Sequence, residues 1–311
     1  MTTAITARSA TDLLSLVPYL LGFHADDSVV VLICDEGTVE VAVRFDHWMF
    51  DTPFMVQARL AHMANRFTAP RFFLASFGAD HDKGEEVLAI LEQVLDPDEV
   101  IDSVYTDGER WWSRVCDREC CQGVPCDPAT AVAVSAVLAG SSALASRQVL
   151  ERSVEGPSLV DQSSLLGTYC EAQELVAAQP TPESCIERAL ELVVAGVGSA
   201  DLGTPEACEL AALVAEIPVR DEAWLEMGQA SARQHVALWQ RVVSVIPDGW
   251  AVPPLCLLAA AAWLDGNGAL MGCAMARAEK LDPEYSMLDV LKDIHLAAAP
   301  PSMWSGIREV S

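Results

Sequence analysis

Hydrophobic and polar positions divide the chain into two halves with different periods. Up to about Ser153 the apolar residues come in short runs rich in β-branched side chains. "SVVVLIC" (28–34) and "TVEVAVRF" (38–45) are separated by Asp35, Glu36 and Gly37, which signals a hairpin. A helical pattern then runs from Phe54 to Phe67, a strand over 71–77 ("RFFLASF"), a helix over 84–95 and a strand over 99–106. This ββαβαβ order with short connections predicts an α/β domain, a mixed sheet with helices packed on it. Ahead of it, "TDLLSLVPYLLGF" predicts a lead-in helix broken or kinked at Pro18.

Beyond Ser153 the strand signals fade and alanine-rich amphipathic stretches replace them. "PESCIERALELVVAG", "PEACELAALVAEI", "ASARQHVALWQRVVSVI" and "PLCLLAAAAWLDG" have helical spacing, with Pro near their starts and Gly or Pro near some of their ends. The expected division is therefore an α/β domain over 1–153 and an all-α domain over 154–311. Residues 256–291 contain Ala and Leu at helical spacing around a Gly-Asn-Gly turn, which resembles one tetratricopeptide-like hairpin. A solenoid of such units needs about three copies to close its core, and one is visible.

Charge narrows the functional classes. Forty-five acidic against 19 basic residues give a formal net charge of −26, a field that repels nucleic acid and anionic membranes at long range. The acids are scattered over the expected helix faces, as solvating charge is. The longest apolar run, Leu255 to Leu264, falls short of the roughly 20 residues that cross a bilayer. The expectation is a cytoplasmic protein that meets a protein partner or a second copy of itself, with nucleic acid disfavoured and no membrane contact.

The chemistry-bearing residues concentrate in "GERWWSRVCDRECCQGVPCD" (108–127). Cys116, Cys120, Cys121 and Cys126 form C-x3-C-C-x4-C, four thiols on what reads as a turn-rich connection. Zinc is the candidate cofactor for such a set, although structural zinc commonly uses C-x2-C spacing. The competing reading is a thiol-lined turn packed under Trp111 and Trp112. Arg110, Arg114 and Arg118 recur every four residues and would share one helical face if that segment is helical. There they could activate a thiolate or grip a phosphate backbone beside the two indoles. They are equally placed to pair with Asp107, Glu109, Asp117 and Glu119. A second cluster, His24 with Asp26 and Asp27, precedes the first strand. It fits acid–base chemistry or a metal, and equally a turn. Trp224, Trp239 and Trp263 lie in helical patterns and read as core anchors, whereas Trp48 and Trp304 are candidates for exposed partner contacts. No Walker loop, H-E-x-x-H, G-x-S-x-G or strand-to-helix G-x-G-x-x-G is present.

Several strings together, "VPYLLGFHADDSVVVL", "GERWWSRVC" followed by "CC", "VRDEAWLEM" and "AAWLDGNGALMGCAMARAEKLDPEYS", resemble the domain of unknown function 4192 family of actinobacteria and their phages. The resemblance extends over nearly the whole chain. It implies no activity, and its pattern of one Cys followed by a Cys pair matches Cys116, Cys120 and Cys121 but not Cys126. The reading that follows is a non-catalytic protein acting through macromolecular binding by its helical half, with no catalytic residue assigned. Its rivals are an enzyme with a pocket at His24, Asp27 and Arg110, and a zinc-stabilised module associated with nucleic acid. The candidate binding residues are Arg110, Trp111, Trp112, Arg114, His24 and Asp27, and the candidate metal ligands are the four clustered cysteines.

Overall fold

Strand β1 (Ser28–Asp35) is buried along almost its entire length, so the alternation of a half-exposed strand is absent. Such a strand must be covered on both faces. The computed structural model describes residues 6–115, 122–139, 142–198 and 202–304, and the chain divides into two compact units, Met1–Arg147 and Gln148–Ser311.

In the first unit, helix α1 (Ala10–Leu21) starts at an N-cap where Ser9 accepts from the Asp12 amide, and stops at Gly22 in the left-handed region. It runs through Pro18 without ending there, so of the expected break or kink the break does not occur. β1 then pairs with β2 (Thr38–Asp46) across a tight turn in which Glu36 and Gly37 both have positive φ, +48° and +82°. That pair of left-handed residues matches the twist of a hairpin. Helix α2 (Pro53–Ala64), β3 (Arg71–Phe77), α3 (His81–Glu92) and β4 (Val100–Thr106) follow, then β5 (Arg110–Ser113), β6 (Val124–Pro125) and α4 (Ala131–Leu138). The strands form one six-stranded mixed sheet ordered β2-β1-β3-β4-β5-β6, in which β3 and β4 are parallel and the other neighbours antiparallel.

Register assigns the faces. Ser76, Tyr105 and Trp112 share one, and the next residue of each strand, Phe77, Thr106 and, one step back along antiparallel β5, Trp111, share the other. The first face meets α2 and α3: Arg59 of α2 lies over Phe45, and His81 of α3 is edge-on to Tyr105 with ring centres 4.8 Å apart. Residues of α1 adjoin Phe77, Thr106 and Trp111 on the second face.

The second unit is helical. After α5 (Arg147–Arg152) come α6 (Leu159–Ala177), α7 (Pro182–Val197), α8 (Thr204–Leu213), α9 (Ile217–Leu225) and α10 (Ala232–Val245). Then come α11 (Val252–Leu264), α12 (Gly268–Leu281) and α13 (Ser286–Leu296). Every residue of α11 is buried, as a helix apolar all round must be. It packs against α10 and α12, and the turn into α12 is capped by Asn267, whose side chain accepts from the Leu270 amide. Among the described residues, no helix is long and apolar enough to cross a membrane.

The expected exposure of Trp304 is corrected. It is only 3% exposed, stacks on Trp224 at 5.1 Å, sits edge-on to Trp263, and donates its indole N–H to the Met227 carbonyl at 2.7 Å. Trp48, by contrast, is 70% exposed.

Candidate functional site

The parallel strands β3 and β4 end side by side, and β1, antiparallel to β3, begins at the same edge. The loop entering β1, the turn leaving β4 and the approach to α4 therefore meet there. The carboxyl ends of parallel strands are where an open α/β sheet leaves room for a ligand. A cavity of about 220 Å³ lies at this edge, walled by α1 residues such as Tyr19, by His24 and by the strand-end residues Phe77, Thr106 and Trp111. Cys126 and Asp127 close its other side.

Local chemistry explains how these groups are held. Asp107 Oδ1 accepts from the amides of Glu109 (2.9 Å) and Arg110 (2.7 Å), which folds the chain from β4 back into β5. Thr106 is almost fully buried. Its hydroxyl donates to the Arg110 carbonyl at 2.8 Å, accepts from the Gly108 amide at 3.1 Å and lies 3.4 Å from Cys126 Sγ. The Cys126 amide donates to the Glu109 carbonyl at 2.8 Å. Burial pushes the Cys126 thiol up from its ordinary value, the Thr106 contact opposes this, and the nearby Asp107 charge adds to it. A thiol so placed is held protonated at neutral pH and is a poor nucleophile.

The two tryptophans, adjacent in sequence, serve opposite faces because strand side chains alternate. Trp111 borders the cavity, and its buried indole nitrogen has no hydrogen-bond partner among the described residues. Trp112 stacks on Tyr105, ring centres 5.6 Å apart, with His81 edge-on at 6.4 Å. Gly123 passes behind it with φ +70°, where a Cβ would fall 2.6 Å from the indole.

The condition for a helical row of arginines is not met at Arg110. Arg110 and Trp111 to Ser113 are strand, and Arg118 lies outside the described residues. Arg110 donates to the carbonyls of Gln122 (3.1 Å) and Gly123 (3.2 Å), pinning the far side of its own loop. Arg114 forms a two-pronged pair with Glu92 at 2.9 and 3.1 Å and also contacts Glu85. Its partners among the described residues thus come from α3. Both carboxylates favour its charged form, and its pKa rises above the ordinary guanidinium value.

Of the residues expected to share an enzyme pocket, only His24 lines the cavity. Asp27 takes a turn conformation (φ +42°), and its carbonyl accepts from the His47 amide at 3.0 Å. Neither Asp27 nor Arg110 belongs to the cavity wall. Of the candidate metal ligands, Cys126 is placed as described; Cys116, Cys120 and Cys121 lie outside the described residues.

Two groups carry no signal in the sequence. His47 and Ser76 are buried together on the opposite face, with Nε2 and Oγ 3.0 Å apart. Burial holds the His47 pKa below its ordinary value despite Asp27 nearby. Tyr19 reads in the sequence only as part of a packed helix, since one aromatic at helical spacing gives no sign that it faces a void.

Comparison with known families supports the resemblance. Residues 11–302 match a family model described as Domain of unknown function (DUF4192), and the chain belongs to that family. No curated protein and no solved structure matches the chain.

Proposed function

We propose that this member of the DUF4192 family acts by binding a protein partner, and that catalysis is not its task. The observation that carries the reading is the commitment of the groups around the sheet edge. Arg110 is tied to loop carbonyls, Arg114 to Glu85 and Glu92, Thr106 to the β4–β5 turn, and the half-buried Cys126 sits against the Thr106 hydroxyl. The Trp-Cys segment in this reading braces the sheet. The partner surface is assigned to the helical unit, where α6 leaves Val160, Leu166 and Leu175 open to solvent. Large apolar side chains left in water are what association with a partner can bury. We read α11 and α12 as a tetratricopeptide-like hairpin and the protein as cytoplasmic, in keeping with an interaction role.

The test uses the full chain. Tagged wild type and a Leu166→Glu, Leu175→Glu double variant are compared for recovery of a partner that wild type retains in purified form. Loss of that complex in a variant with unchanged thermal melting supports the assignment; undiminished recovery overturns it. Zinc analysis of the same preparation decides the rival built on Cys116, Cys120, Cys121 and Cys126: a metal-free protein whose stability is unaffected by chelator removes it.

A further inference from the structure

The cavity at the carboxyl ends of β3 and β4 is not used by the protein-partner reading, and its wall has a definite chemical character. Three aromatic residues from separate elements converge on it: Tyr19 of α1, Phe77 of β3 and Trp111 of β5. Among the described lining residues the carboxylate is that of Asp127 and the basic side chain is the His24 imidazole, with no lysine or arginine. Asp127 is exposed, with Oδ1 accepting from the Ala129 amide at 2.9 Å, so its position is fixed at the rim. The whole chain adds a net charge of −26, which concentrates cations and repels anions at such a mouth.

We propose that this cavity binds a small organic cation with an apolar ammonium head, of the trimethylammonium class, using Tyr19, Phe77 and Trp111 as its aromatic wall and Asp127 as counter-charge. An aromatic ring face presents the negative side of its quadrupole to a diffuse positive charge. A methylated ammonium suits such a wall because it carries charge without N–H donors that burial would leave unpaired. The size agrees: about 220 Å³ exceeds the roughly 150 Å³ known to admit a benzene ring. An anion finds no lysine or arginine in the described wall, with the His24 imidazole its basic group there, and faces a carboxylate at the rim.

Choline and its uncharged carbon isostere 3,3-dimethylbutan-1-ol are the probes, titrated into the full chain by calorimetry. Choline is expected to bind in the millimolar range or tighter, and the isostere about tenfold more weakly. Trp111→Leu is expected to weaken choline about tenfold and Asp127→Asn a few fold, with little effect on the isostere for the latter. Asp127 is exposed, so its variant reports even if Trp111→Leu impairs folding. Equal binding of the two probes, choline affinity unchanged in Asp127→Asn, or no choline binding overturns the proposal. The α6 double variant keeps choline binding, which separates this outcome from failure of the partner reading.

Discussion

Tryptophans gather in both units, and they end in opposite situations. In the helical unit Trp263 and Trp304 donate their indole N–H groups to the carbonyls of Ala299 and Met227, both at 2.7 Å, and Trp304 is clamped between Trp224 and Trp263. At the sheet edge Trp111 faces a void and its N–H finds no partner among the described residues. One residue type therefore serves as closure in one place and as the wall of an opening in the other. The difference lies in whether the surroundings complete the packing of the ring; the hydrogen bond alone does not separate the two regions, since Trp224 and Trp239 of the helical unit also have a buried indole nitrogen without a partner among the described residues.

The largest effect is expected at Trp304. Trp304→Ala empties a closed site and should cost about 3–5 kcal/mol, read as a shift in urea denaturation. A loss no larger than that of Trp111→Ala would mean the helical nest is not closed.

A second effect distinguishes the helical core by its response to pH. His235 in α10 is buried, and desolvation drops its pKa to about 4. The unfolded chain binds that proton with a pKa near 6.5, so stability is full above that value and falls as pH descends towards about 4. The loss is expected to reach up to about 3 kcal/mol, and His235→Leu should flatten the stability curve between about pH 6.5 and 4.5. An unflattened curve would assign the acid sensitivity elsewhere.

On the packed face of the sheet, Gly123→Ala is expected to cost about 1–3 kcal/mol, because the new Cβ meets the Trp112 indole and the backbone there has positive φ. Loss of the near-ultraviolet signal of the Tyr105–Trp112 stack would accompany it. The smallest effect belongs to the open face: Trp111→Ala should cost only about 1–2 kcal/mol, since one side of the ring already borders empty space. A cost equal to that of Trp304→Ala would show the cavity to be closed in solution.

Legibility follows local information. Short apolar runs bounded by polar and turn residues marked β1, β2 and β3 almost to the residue, because strand patterning and the hairpin turn are written within a few positions. Helix α6 carries no such mark: Val160, Leu166 and Leu175 are exposed, Tyr169 and Ala172 buried, and its apolar residues circle the axis without forming a stripe. The spacing of Arg110, Arg114 and Arg118 would align them only on a helix, and strand pairing with β4 and β6 makes Arg110 and the residues up to Ser113 extended. Glu85 and Glu92 could not be picked as the partners of Arg114 either, because only the α3 crossover brings them near.

The order of amino acids was enough to specify a sheet-bearing first half and a helical second half, the net negative field, and family membership, each a property of neighbouring residues or of simple sums. Folding in three dimensions was needed to part Trp111 and Trp112 to opposite faces, to bury Trp304, and to bring Tyr19, Phe77 and Asp127 to one cavity. Those outcomes depend on strand register and on how elements far apart in the chain pack. No local pattern encodes them, because the groups involved meet only after the chain has folded.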